Sequence, residues 1–136
     1  MKRLIAVLAL CVLVGCASDG TKLRKAAYTS FGTYVLAEEA AADVVEDKQV
    51  PAEVVVKIQN TVRVAAPVAE AMYKDLVRFA QMQDELKGIQ DAGGEPSEQK
   101  LAALTSAYNA LRDSYAQSGD AIAALVELVK EYRHGD

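Results

Sequence analysis

Residues 55–86 read VVKIQNTVRVAAPVAEAMYKDLVRFAQMQDEL and carry a long helical repeat of apolar side chains. Steps of three and four residues select ten positions, nine of them apolar: Val55, Ile58, Val62, Ala65, Ala69, Met72, Leu76, Phe79, Gln83 and Leu86. A helix places such positions on one face. The stretch therefore predicts one long helix with a narrow apolar seam that packs in coiled-coil fashion.

The same repeat recurs on both sides of this stretch. Towards the C-terminus it selects ten positions, nine of them apolar or aromatic: Leu101, Leu104, Tyr108, Leu111, Tyr115, Ser118, Ile122, Leu125, Val129 and Tyr132. Towards the N-terminus it is weaker and selects Ala27, Phe31, Tyr34, Glu38, Ala41 and Val45. Three segments with matching seams predict three helices that pack together.

Proline and glycine mark the predicted helix boundaries. Pro51 and Pro96 each suit a first helical position, because that N–H has no partner within the helix. Gly88 is expected to end the second helix, since glycine readily adopts a left-handed conformation. These signals predict helices at 21–47, 51–88 and 96–133. Their short connections make neighbours antiparallel, so the predicted fold class is all-α, an elongated antiparallel three-helix bundle with coiled-coil-like packing.

Glu38 is the residue that least fits its context. The spacing places it in the middle of the apolar face of the first helix, where a carboxylate must be paired, hydrogen-bonded or protonated. One interpretation is a buried polar contact that binds a partner or fixes the register. The other is a side chain that reaches the edge of the helix and meets water. The tyrosines, by contrast, fall mostly on seam positions, which favours core packing over an aromatic ligand site.

The first sixteen residues are organised like a secretory signal. Lys2 and Arg3 precede an uncharged apolar run, residues 4–14, that is too short to span a bilayer as a helix. At its end, Leu13-Val14-Gly15-Cys16 resembles the bacterial lipobox. The resemblance implies removal of residues 1–15, a thioether-linked diacylglycerol on Cys16 and an N-acyl chain on its new amino terminus.

This resemblance divides the chain and gives it a location. We predict a cleaved signal peptide (1–15), a lipidated cysteine with a tether (16–20) and a three-helix bundle (21–136). Cys16 would bind the lipid bilayer, and two or three acyl chains make such an anchor firm. In the enterobacterial pattern, Asp directly after the lipidated Cys favours the inner membrane. Ala17 stands there instead, which favours the outer membrane, facing the periplasm, over the inner membrane.

Charge and residue types argue against several classes of function. The formal net charge of −4 becomes −6 without Lys2 and Arg3, and the sequence has no basic patch. Nucleic acid is therefore not an expected partner, nor is a basic membrane-surface helix expected. His134 is the one histidine, and neither a phosphate loop nor a nucleophile motif occurs. We predict no metal, no cofactor besides the lipid on Cys16, and no catalysis.

The predicted function is that of a non-catalytic structural or interaction protein, an adaptor or accessory protein of the bacterial envelope with a protein partner. Val64 and Leu128, outside the seams, are candidate contact points. The alternative is a binding module that holds an apolar small ligand between its helices, and a cavity lined by Tyr and Met would favour it. Neither the identity of the partner nor the oligomeric state follows from the sequence.

The predicted helix lengths also constrain the orientation of an anchored bundle. At about 1.5 Å per residue, the first helix rises about 39 Å and the second about 57 Å. In an upright bundle the turn at 88–95 would overshoot the start of the first helix towards the membrane. We therefore expect a bundle that is tilted on the membrane or that touches it with this turn.

Overall fold

The computed structural model describes the backbone of residues 2–133 and the side chains of residues 19–133. Its three helices are α1 (Lys2–Glu46), α2 (Ala52–Asp91) and α3 (Glu98–Arg133). Each helix packs against both of the others, and residues 2–133 contain no strand. The predicted all-α three-helix bundle is therefore confirmed.

The start of α1 differs from its prediction. This helix begins at Lys2 rather than near residue 21. The predicted signal peptide ends after residue 15 and the predicted tether after residue 20. Both predictions depend on Cys16, whose side chain lies outside the described residues. The signal peptide, the tether and the lipid on Cys16 stay predictions.

Contacts between side chains show that neighbouring helices run antiparallel. Arg24 of α1 pairs with Asp84 of α2 at 3.0 Å, whereas Phe31, further along α1, stacks on Tyr73, which comes earlier in α2. The contacts between α2 and α3 follow the same order: Phe79 with Tyr108 and Met72 with Ser118. The chain thus runs up, down and up, as its short connections predict.

The register of α2 agrees with its sequence repeat. Seven of the ten predicted seam positions are buried: Ile58, Ala65, Ala69, Met72, Leu76, Phe79 and Leu86. The other three, Val55, Val62 and Gln83, are half-buried. Pro67 lies on the exposed side, and the helix continues through it. An exposed proline is tolerated there because only solvent-side backbone hydrogen bonding is interrupted.

In α3 the seam departs from its prediction in the first half. Leu111, Ser118, Ile122, Leu125 and Val129 are buried as expected. Tyr115 is 36% exposed, however, and the buried positions beside it are Ala107 and Ser114. Because α3 packs against two helices, its buried face is wider than a two-stranded seam, and small residues fit where helices approach closely. Leu128 is also buried, so its prediction as an outer contact point was wrong.

The register of α1 leaves Glu38 exposed, which agrees with the interpretation that its side chain meets water and not with that of a buried contact. Its buried positions are Gly20, Ala27, Tyr34, Ala37, Ala40, Ala41 and Val44. The seam steps from Tyr34 to Ala37 and not to Glu38, which is exposed. From Tyr34 the next seam residue can be Ala37 or Glu38, because steps of three and of four both fit a helical repeat. The difference in hydration between a methyl group and a carboxylate selects Ala37.

The end of α2 lies three residues beyond its predicted end. Gly88 is helical, and the helix ends at Asp91. Gly93 adopts φ +77°, the left-handed conformation that glycine tolerates best. Its N–H donates to the carbonyl oxygen of Gln90 and that of Gly94 to Ile89, both at 2.9 Å. This pair of bonds is a Schellman motif, so Gly93 and not Gly88 terminates the helix.

Candidate functional site

The N-terminal part of the bundle is fixed by close packing at Gly20. A Cβ atom on Gly20 would lie 2.9 Å from both Phe79 Cζ and Gln83 Nε2 of α2. One turn later, Arg24 and Asp84 form their ion pair, with 38% and 67% of the two side chains exposed. An exposed pair of this kind adds little stability. The absence of a side chain at Gly20 is therefore what allows α1 to approach α2 at a point four residues after Cys16.

One side of α1 has no helix packed against it. We call this side the outer face of α1, and its residues, spaced by three and four, are Lys22, Lys25, Tyr28, Gly32 and Leu36. Tyr28 is 71% exposed and Leu36 is 68% exposed. Neither lysine forms an ion pair with any side chain within residues 19–133. The outer face thus presents an aromatic ring, an aliphatic side chain and two ammonium groups that no described side chain pairs.

Charge is divided along α1 between its two halves. Residues 20–37 contain three cations and no acid. Residues 38–47 contain five acids and no cation. The part of α1 that follows Cys16 is therefore positive, although Asp19 precedes its cations and Arg24 is paired with Asp84, and the distal part is negative.

Sequence reasoning missed this surface because it relied on the net charge of the chain. A net charge averages the cations of residues 20–37 with acids that lie elsewhere. A running count of charge along the predicted first helix would have found the boundary at Glu38. The exposure of Tyr28 and Leu36, by contrast, required the packing of the three helices.

A second aromatic group lies between α1 and α2. Phe31 and Tyr73 stack with ring centroids 4.4 Å apart and an interplanar angle of 22°. Phe31 is half-buried, and Tyr73 is 41% exposed. The stack covers part of the core at this level and contributes packing energy typical of an aromatic pair.

Glu38 is brought together with Tyr34 and not with a neighbouring helix. The Tyr34 hydroxyl donates a hydrogen bond of 2.8 Å to Glu38 Oε1, one turn along the same helix. The Tyr34 ring is buried. Burial raises the pKa of Tyr34 to about 12, and the nearby Glu38 and Glu70 carboxylates act in the same direction. The exposed Glu38 carboxylate therefore accepts a hydrogen bond from the hydroxyl of Tyr34, whose ring lies in the core.

A groove of about 670 Å³ lies between the start of α2 and the end of α3. Its lining residues are Lys57, Thr61, Ala124, Glu127, Leu128, Lys130 and Glu131. Four of these seven are charged, and the groove is open to solvent. An apolar ligand needs an enclosed, largely apolar cavity, so this groove does not match the predicted pocket of Tyr and Met. Met72 is fully buried against Ser118 instead.

Two further observations concern metals and membranes. Within the described part of the chain, no group of three or more His, Cys, Asp and Glu side chains is placed to hold a metal ion. None of the described helical segments is both long and apolar enough to cross a membrane. Cys16 and His134 lie outside the residues whose side chains are described, so their environments are not part of this site.

The chain has no significant match among known protein families, curated proteins or solved structures. A function is therefore assigned from the residues of this chain alone.

Proposed function

We propose that this protein is a lipid-anchored, non-catalytic interaction protein of the bacterial envelope, attached through Cys16 and facing the periplasm. The observation that carries the proposal is the segment Leu13-Val14-Gly15-Cys16, which ends an apolar run after two cations. A diacylglycerol on the Cys16 sulfur and an N-acyl chain on its amino group supply the anchor. In this proposal the lipid is the only added group.

The start of the packed bundle supports this assignment. Gly20 is buried against α2, so only residues 17–19 separate the proposed anchor from the bundle. A bundle attached in this way stays close to the membrane surface. It acts by presenting helix faces there, and its partner is a protein or a lipid surface within reach of those faces.

The exposed valines of α2 suit a protein partner on the distal half of the bundle. Val56 is 54% exposed and Val64 is 65% exposed. Exposed aliphatic side chains of this kind favour contact with an apolar surface. For the alternative function, an apolar ligand between the helices, no described cavity supplies a comparable observation.

The anchor is tested by mass spectrometry of the protein purified from bacterial membranes. We expect the N-terminal peptide to begin at Cys16 and to carry the mass of two or three acyl chains. Cys16→Ser should keep residues 1–15 and carry no acyl mass. Cys11→Ser is the matched control, because Cys11 lies in the segment that is removed, and this variant should be lipidated normally. An unmodified Cys16 on an intact leader contradicts the proposal.

The membrane is tested separately by density fractionation of the two membranes. Ala17 directly after Cys16 favours recovery in the outer membrane. Ala17→Asp should move the protein towards the inner membrane if the enterobacterial sorting pattern applies. Recovery of the unsubstituted protein in the inner membrane would refute the outer-membrane part of the proposal while leaving the anchor intact.

A further inference from the structure

We infer that the outer face of α1 lies on the surface of a bilayer that contains anionic phospholipid. The inference rests on the proposed anchor at Cys16. It starts from the length of chain between the anchor and the bundle. Even when fully extended, four residues span at most about 14 Å, so Cys16 stays within about 14 Å of Gly20. Gly20 in turn is held against Phe79 and Gln83.

The other helices extend past this level towards the membrane. From Gln83, α2 continues to Asp91, which is eight residues or roughly 12 Å of helix. The turn at 92–97 lies beyond that point. An upright bundle would therefore bring this turn to the bilayer, together with the carboxylates of Glu95 and Glu98; Asp91, beside the turn, is paired with Lys87 at 2.6 Å. Carboxylates are repelled by anionic headgroups and costly to desolvate.

Tilting relieves this conflict, and the position of the anchor sets its direction. Cys16 belongs to α1 and lies four residues before Gly20, which packs on α2. Raising the turn that joins α2 to α3 therefore lowers the side of the bundle formed by α1. The side of α1 that has no neighbouring helix, its outer face, then meets the bilayer first.

The outer face has the composition that such a surface selects. Lys22 and Lys25 are exposed and unpaired among the described side chains, and their long stems let the ammonium groups reach headgroups. Tyr28 and Leu36 follow on the same side, and no other large hydrophobic side chain among the described residues is as exposed. Tyrosine is favoured at the interface between water and lipid.

Charge complementarity favours an anionic lipid and determines which end of α1 contacts the bilayer. The cations of α1 lie in residues 20–37, which follow the anchor after Asp19, whereas the five acids of residues 38–47 lie at the far end. Attraction near Lys22 and Lys25 and repulsion beyond Glu38 leave α1 inclined, with its N-terminal half in contact. A second copy of the chain would explain the exposed Tyr28 and Leu36 but gives no reason for this division of charge.

The contact is tested with the lipidated full-length product, reconstituted into phosphatidylcholine vesicles with and without phosphatidylglycerol. Lipidation blocks Cys16 and processing removes Cys11, so an introduced cysteine is the only free thiol. An environment-sensitive fluorophore is placed through Tyr28→Cys or Leu36→Cys. The control is Gln117→Cys, an exposed position on α3. It lies at a similar height along the bundle, because the adjacent Ser118 contacts Met72 of α2 and Phe31 of α1 contacts the next residue, Tyr73.

We expect a several-fold rise in fluorescence at residues 28 and 36 with phosphatidylglycerol, and no change at residue 117. Lys22→Gln and Lys25→Gln should each lower the ratio of docked to undocked protein by about fivefold, and about 1 M salt should abolish docking. Lys48→Gln with Lys57→Gln, at the distal end, is the matched control and should leave docking unchanged.

Three outcomes overturn the inference. Equal signals at residues 28, 36 and 117 exclude a bilayer contact of the outer face. A signal that depends on protein concentration and not on phosphatidylglycerol identifies a second copy of the chain as the occupant. Absence of lipid on Cys16, read from the mass of the same preparation, removes both this inference and the proposed function. Lipidated protein with equal label signals removes the inference alone.

Discussion

The Tyr34 hydroxyl and the Glu38 carboxylate form a 2.8 Å hydrogen bond that joins the core of the bundle to its surface along one turn of α1. The ring is buried and the carboxylate is exposed. The bond therefore gives a buried phenol a charged acceptor without burying the charge. Glu38 acts as a partner of Tyr34 within its own helix.

This bond predicts a loss of stability at alkaline pH. The pKa of Tyr34 is raised from 10.0 to about 12, so the folded state holds the phenol proton more tightly than the unfolded state does. The resulting stabilisation is fully present below pH 10 and disappears as the pH rises through about 12. Urea midpoints measured at about pH 9 and about pH 11.5 should differ more for the unsubstituted protein than for Tyr34→Phe.

At neutral pH, Tyr34→Phe keeps the ring and removes the hydrogen bond. We expect a loss of about 0.5–1.5 kcal/mol in the free energy of unfolding. Glu38→Gln keeps an acceptor and should cost less. If the unsubstituted protein and Tyr34→Phe show the same fall in stability across the alkaline range, Tyr34 is not the group responsible.

The packing at Gly20 predicts opposite signs for one substitution at two sites of α1. Gly20→Ala places a methyl group 2.9 Å from the buried Phe79 ring, and overpacking of this kind costs about 1–3 kcal/mol. Gly32→Ala meets nothing within 4 Å and should stabilise the helix by about 0.5–1 kcal/mol. Chemical denaturation of both variants measures the difference. Equal stabilisation at both positions would show that α1 does not approach α2 closely at Gly20.

The end of α2 gives a second pair of glycines. Gly93→Ala forces a left-handed conformation on alanine and should cost about 1 kcal/mol. Gly88→Ala lies within the helix, with open space around its Cβ position, and should gain about 0.5–1 kcal/mol. Thermal unfolding under identical conditions separates the two. A loss of stability at Gly88 together with a gain at Gly93 would restore the helix end predicted from the sequence.

The corrected seam of α3 predicts a large difference between two residues that the sequence repeat treats alike. Leu111 is fully buried, and Leu111→Ala should cost about 2–5 kcal/mol. Tyr115 is 36% exposed, so Tyr115→Ala removes a partly covered ring and should cost about 0.5–2 kcal/mol. Unfolding by urea compares the two. Similar losses would indicate that Tyr115 packs in the core, as the spacing suggests.

The sequence by itself determined the helices, the antiparallel bundle and the register of α2. In α2 the large side chains of Ile58, Leu76 and Phe79 recur on one face, so burying any other face would leave them in water. The charge boundary at Glu38 is likewise readable from the printed residues.

Tertiary structure decided the remaining registers and the exposed surfaces. Around Ala37 and Glu38, and around Ser114 and Tyr115, two adjacent residues both fit a repeat of three and four. The neighbouring helices select between them by covering Ala37 and Ser114 and leaving Glu38 and Tyr115 exposed. The requirement for glycine at position 20 and the exposure of Tyr28 likewise depend on which side chains the other helices bring close, and local spacing carries no information about that.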